Sequence, residues 1–171
     1  MTAAPRSAPL QVAILVFDEV EMLDLGGPYE VFTTATRMHQ RQAPGSPALF
    51  AVQCVARTLQ PVRARAGLQV LPDADFASAS VCTGAFILAA AGVLTQGPVT
   101  THWEDLADLR ARFPHLTVRE NVRWVDRGAL VTSAGISAGI DMSLHLVTRL
   151  AGAALSQRTA RQMDTPWNTA P

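Results

Sequence analysis

SVCTGAFILAAAGVL, residues 80–94, turns from strand to helix around a run of small residues. Ser80-Val81 reads as the end of a strand, Thr83-Gly84-Ala85 lets the chain reverse sharply, and FILAAAGVL continues as a helix. The Cys82 side chain would then sit at the helix N-terminus, where free N–H groups and the positive dipole end stabilise a thiolate. This is the cysteine version of a nucleophile elbow, without the glycine two residues before the nucleophile that hydrolases carry. A free cysteine is also commonly a small buried hydrophobe, and the pattern alone leaves both readings open.

Working outward, strands alternate with helices on both sides. QVAILVF (11–17) is a short, continuous apolar run and reads as a strand buried on both faces. Gly27-Pro28 opens a helix through YEVFTTATRMHQ, with Pro28 in the first turn, where a missing N–H is no loss. After the Pro44–Pro47 break, ALFAVQCVA is a second strand. PVRARAGLQVLP alternates with period two, as an exposed-faced strand or hairpin arm does. DADFASAS is a small-residue link into Val81-Cys82. Downstream, GPVTTHW is a strand and EDLADLRARF a helix with Leu106, Leu109 and Phe113 at helical spacing. VRWVDRGALVTSA is a hairpin through Asp126-Arg127-Gly128. SAGIDMSLHLVTRLAG is a long helix ended by Gly152, and ALSQRTARQM a last one. The alternation predicts an α/β sandwich with a mainly parallel sheet. Residues 1–10 read as a flexible tail, 11–163 as a single domain with a gap near 76–80, and 164–171 as a C-terminal tail.

Composition narrows the chemistry. The 171 residues carry fourteen cationic and fourteen acidic side chains, for no net charge, and 49% are hydrophobic. A balanced chain has no basic excess with which to release phosphate counterions, so nucleic acid is not expected as a partner. Every cationic residue is arginine. Without lysine there is no Schiff-base chemistry, no pyridoxal phosphate anchor and no Walker-type phosphate lysine. His39, His102, His115 and His145 lack ligand spacing, so no metal is expected. Apolar runs such as 86–94 and 11–17 are too short to span a bilayer, and the opening MTAAPRSAPL is not signal-like. A cytoplasmic location, with no membrane association, is the expectation.

Asp24 and His102 are the other candidates. Asp24 follows the first strand, and in a parallel sheet the carboxyl ends of strands gather functional groups, so it could meet Cys82 there as a general acid or base. It could equally cap the Gly27-Pro28 helix entry. His102 ends GPVTTHW and would orient substrate, move a proton, or serve as a hydrogen-bonded structural residue. Asp18, Glu19 and Glu21 read as a solvated acidic loop, and Cys54 as core. Gly135 and Gly139 would bind an anion at the long helix's N-terminus or permit close packing.

FDEVEMLDLGGPYEVF, SVCTGAFILAAAGVL, TTHWEDLADLRARFP and VTSAGISAGIDMSLHLVTRLAG, in this order, resemble the DJ/PfpI superfamily, of the class I glutamine amidotransferase-like fold. Within it they look like the isonitrile hydratase subgroup and like the ligand-sensing halves of AraC-type regulators. The resemblance implies a flavodoxin-like three-layer sandwich, a homodimer, Cys82 as nucleophile and Asp24 as its acidic partner. Thr83, Gly84 and His102 would line the substrate pocket, with no cofactor. Protease-type members carry histidine directly after the cysteine; Thr83 stands there, so peptidase activity is not expected. Aspartate rather than glutamate at Asp24 points to the hydratase side and away from the stress-response members. The implied reaction is addition of the Cys82 thiolate to an isonitrile and release of an N-substituted formamide. A ligand sensor and a redox or carbonyl-stress protein are the rival readings. DTPWNTAP, after Met163, gives no room for the helix-turn-helix of the regulators. One departure stands out: FASAS joins Asp75 almost directly to Val81-Cys82, where the family carries a strand ending in a Pro-Gly-Gly turn, then a helix. The chain therefore lacks one strand–helix unit before Cys82, on the scale of about 30 residues.

Overall fold

Leu10–Leu15 (β1) and Phe50–Ala56 (β2) run parallel, in register from Leu10 opposite Phe50 to Leu15 opposite Val55. Their nearly unbroken apolar sequences suit strands covered on both faces. Met22–Gln42 (α1) connects them. The computed structural model describes residues 8–75, 85–90, 92–135 and 137–171. Cys82, Thr83 and Gly84 lie outside the described residues.

Val62–Arg63 (β3) and Gln69–Val70 (β4) form a small antiparallel hairpin around a tight turn at Arg65–Gly67. Ala74–Asp75 (β5), expected as part of a link, is a short strand parallel to β2. Ala85–Ala90 (α2) leads to Gly97–Val99 (β6), Leu106–Arg112 (α3) and Leu116–Val118 (β7), with β6 and β7 parallel. Trp124–Asp126 (β8) and Val131–Ser133 (β9) make the antiparallel hairpin expected around Gly128. Its turn is set by the Gly128 N–H on the Asp126 carboxylate, 2.7 Å, and by a positive φ at Gly128. Ala138–Ala151 (α4) and Ala153–Gln162 (α5) follow, parted by Gly152 at φ 95°.

The layers are those of a flavodoxin-like α/β fold, with the parallel sheet in two pieces. Among the described residues, β1–β2–β5 forms one piece and β6–β7 another. The core is divided in the same way. Val31, Phe32, Ala35 and Met38 of α1 pack with Phe50, Leu144, Val147 and Leu155 in one cluster. Leu88, Leu94, Val99, Leu109 and Leu116 make another around β6 and α3. Cys54 belongs to a third, with Val16, Leu25 and Ala56, and is core as expected. Among the described residues no helix is long and apolar enough to cross a membrane.

One local expectation is corrected. The first helix begins at Met22, not at Gly27-Pro28, so Pro28 lies inside it. Proline has no N–H for the carbonyl four residues earlier, so the Asp24 carbonyl loses its ladder partner. The Gly27-Pro28 pair has a packing reason instead. A Cβ on Gly27 would stand 2.8 Å from Ile140 Cγ1, and one on Gly139 would meet the Pro28 ring at 3.9 Å. The acidic loop is solvated, as expected, and also anchored. Asp18 accepts the Arg63 N–H at 2.8 Å, and Glu21 pairs with Arg65 at 2.6 Å, binding the loop to the β3–β4 hairpin.

Candidate active site

Asp24 sits in the first turn of α1, just beyond the carboxyl end of β1. The residue at the helix cap is Glu21, so capping is not the role of Asp24. Burial pushes the Asp24 carboxyl above the usual carboxylate range, and repulsion from Glu21 adds to the rise. The charges of His102 and Arg65 pull the other way without overcoming it. The result is a carboxyl at the solvent-facing edge of the site that holds its proton more firmly than an ordinary aspartate.

His102 lies in the loop after β6, at the carboxyl end of that strand, and interacts electrostatically with Asp24. The two pieces of sheet thus bring these candidates into each other's field. Gly135 explains the position of the imidazole, because a Cβ there would stand 2.4 Å from His102 Cδ2. Gly135 is therefore a close-packing position, the second of its two expected roles. The loop itself is held by Thr100, whose N–H donates to Thr132 Oγ1 and whose hydroxyl donates to the Arg119 carbonyl, both at 3.0 Å. Buried Thr100 and Thr132 join β6, β7 and β9 at one end.

Beside His102 opens a cavity of about 400 Å³ lined by Trp103, Asn121, Arg123, Gly135, Ser137 and their neighbours. Arg123 escaped sequence reasoning because its partner comes eighteen residues later. Its Nε donates to the Asp141 carboxylate and its Nη2 to Ser137 Oγ at 3.1 Å. Asp141 is only 2% exposed and also accepts the Asn168 N–H at 3.1 Å. An alternating stretch such as VRWVD gives no sign of which helix residue its arginine will meet.

Cys54 shows what an unreactive thiol looks like here. Burial, reinforced by Asp73, pushes its pKa up, so it stays protonated. Cys82, with Thr83 and Gly84, directly precedes α2 in sequence. The structure describes Asp24 and His102 of the expected site.

A profile of the DJ-1/PfpI family matches residues 75–149. The chain is 29% identical over 193 residues to the isonitrile hydratase of Pseudomonas putida, covering 91% of this chain and 78% of that protein. It is 35% identical over 144 residues to an uncharacterized protein of Streptomyces lividans, covering 67% of this chain and 99% of that one. A helix-turn-helix-type transcriptional regulator of Pseudomonas aeruginosa is 40% identical over 77 residues, 45% of this chain but 21% of the regulator. In three dimensions the chain superposes on a ThiJ/PfpI family protein from Pseudomonas syringae with a TM-score of 0.76, at 24% identity, over 100% of this chain and 85% of that one.

The two longer alignments each hold positions with no counterpart in this chain. The first spans 193 positions but draws on about 156 residues of this chain, leaving roughly 37 without a counterpart here. The second spans 144 against about 115, leaving roughly 29. An excess of this size is what one strand and one helix require. With its motif order, its fold and its relatives in agreement, the chain belongs to the DJ-1/PfpI family.

Proposed function

We propose that the protein is a hydro-lyase that hydrates isonitriles, with Cys82 as nucleophile and Asp24 as acid–base group. The observation that carries this reading is the 29% identity to an isonitrile hydratase across 91% of the chain. The Asp24 carboxyl, raised in pKa and within the field of His102, supports it as a group able to hold and deliver a proton. In the proposed sequence the Cys82 thiolate forms a bond to the terminal isonitrile carbon. That carbon takes the Asp24 proton, giving a thioimidate. Water then adds its oxygen to the same carbon, one of its protons passing to the nitrogen and the other to Asp24, and the C–S bond breaks to restore the thiolate. One isonitrile and one water become one N-substituted formamide, with no redox change and no cofactor. Thr83, Gly84 and His102 bind substrate in this scheme.

Formamide production from cyclohexyl isocyanide, followed by chromatography, tests the reading. Wild-type protein is expected to turn over. Cys82→Ala should abolish turnover, and Asp24→Asn should lower it by about 100-fold or more, the usual range for a lost acid–base group. Because the proton-bearing form of Asp24 is the active one, the rate should fall as pH rises through its elevated pKa. No turnover by wild-type protein at any pH overturns the proposal.

The 40% identity to a regulator favours a second reading, a ligand-sensing domain without catalysis. Under it, ligand binding should alter association with a partner, and Cys82→Ala should remain competent. Homodimerisation and a cytoplasmic location belong to the proposal in either case.

A further inference from the structure

We propose that the cavity beside His102 binds the carboxylate of a small ligand, with Arg123 as its anchor. Under the hydratase reading, on which only this last assignment rests, the preferred substrate class is an isonitrile that carries a carboxylate. A volume of about 400 Å³ fits a small molecule. Among the described residues the wall contains Arg123 and no acidic residue. Asp141, which pairs with Arg123, is buried outside the wall, and Glu104, 3.8 Å from His102 Nδ1, is outside it too.

The arginine is held for this task. Nε is committed to Asp141 and Nη2 to Ser137, which fixes the plane of the guanidinium and leaves the Nη1 side of its fork for a ligand. A cation fixed in place loses little rotamer entropy when it binds an anion. Ser137 and Ala138, in the same wall, begin α4, so the positive end of that helix adds to the attraction. Trp103, 71% exposed, supplies an apolar face on the same wall for the body of the ligand.

Calorimetry on the full wild-type chain with N-formylglycine and its methyl ester, a pair differing in one charge, tests the site without needing turnover. The acid is expected to bind about ten-fold tighter, the scale of a charge-assisted hydrogen bond to arginine. That advantage should shrink as NaCl is raised from about 50 to about 300 mM, because the wall is open to salt. Arg123→Gln would strand a buried Asp141 and risks misfolding. Asn121→Asp avoids this, since Asn121 is an exposed wall residue at φ 57°, which aspartate tolerates, and it sets a negative charge opposite the ligand. It should erase the preference. Equal or weaker binding of the acid, or a preference that Asn121→Asp leaves intact, overturns the proposal, as does failure of both to bind. If the preference holds and cyclohexyl isocyanide is hydrated but isocyanoacetate is not, the substrate assignment fails while the site stands; if the preference holds and neither isonitrile is hydrated, the hydratase reading fails and the site stands.

Discussion

At Asp126 a single carboxylate answers three donors. His145 Nε2 and the Arg149 guanidinium of α4 reach it from one side, and the Gly128 N–H from its own turn. Burial alone would raise its pKa. The hydrogen bonds from His145 and Gly128 and the charges of Arg149 and His145 outweigh that, and hold it below the ordinary value of 3.8. A carboxyl depressed by folding contributes stability that is present above its unfolded pKa and is lost as pH falls through the folded one. Asp126→Asn is therefore expected to cost about 1 kcal/mol at neutral pH, the scale for a hydrogen-bonded pair near solvent. The gap from wild type should begin to close below about pH 4 and vanish only once pH falls below the depressed folded value, where the wild-type carboxyl is protonated. Urea unfolding at a series of pH values checks this, and a gap that persists at low pH refutes it. None of these partnerships was legible in DRGALVTSAGISAGIDMSLHLVTR. The turn was, because Asp and Gly two residues apart bond locally. The clamp was not, because it needs the hairpin already laid on α4.

Helices and strands were more legible than the contacts between them. Apolar runs gave β1 and β2, and helical spacing with a terminal glycine gave α4. The start of α1 is not legible from Pro28, which suits a first turn in sequence but lies with Gly27 where α1 meets α4. Close approach of those helices makes a specific prediction. Gly27→Ala should destabilise the fold by about 1–3 kcal/mol, the cost of overpacking a core contact. Ile140→Ala, which removes the Cγ1 that would stand 2.8 Å from the new Cβ, should recover part of it. A double-mutant cycle by thermal unfolding reads the coupling, and strictly additive losses would show that the two helices do not press on each other there. The site follows the same rule. Asp24 and His102 could be picked out at strand ends, but the Arg123–Asp141–Asn168 connection spans three separate stretches and has no local signature.

Across the whole molecule, the parallel sheet falls into β1–β2–β5 and β6–β7, and the core divides with it. The two relatives aligned over most of their length carry roughly 29 to 37 positions with no counterpart in this chain. A unit of that size between Asp75 and Ser80 would supply a strand, whose backbone groups pair with neighbours, and a helix to cover them. Inserting the corresponding segment of the Pseudomonas putida relative is expected to sharpen unfolding into one cooperative transition and raise the urea m-value, because more surface is buried. Binding of a hydrophobic dye to the native protein should fall in parallel. An unchanged m-value and unchanged dye binding would mean that the two halves already form one cooperative body.

Asn168 gives the last residues a bearing on chemistry they do not touch. Its backbone N–H and the Arg123 guanidinium grip opposite oxygens of one buried carboxylate, and nearby Trp167 packs into the α1–α4–α5 core. The C-terminal strap and the cavity wall are thus two ends of a single lever whose fulcrum is Asp141. A load placed on the strap, such as a fused domain or a surface tether, is transmitted to the guanidinium.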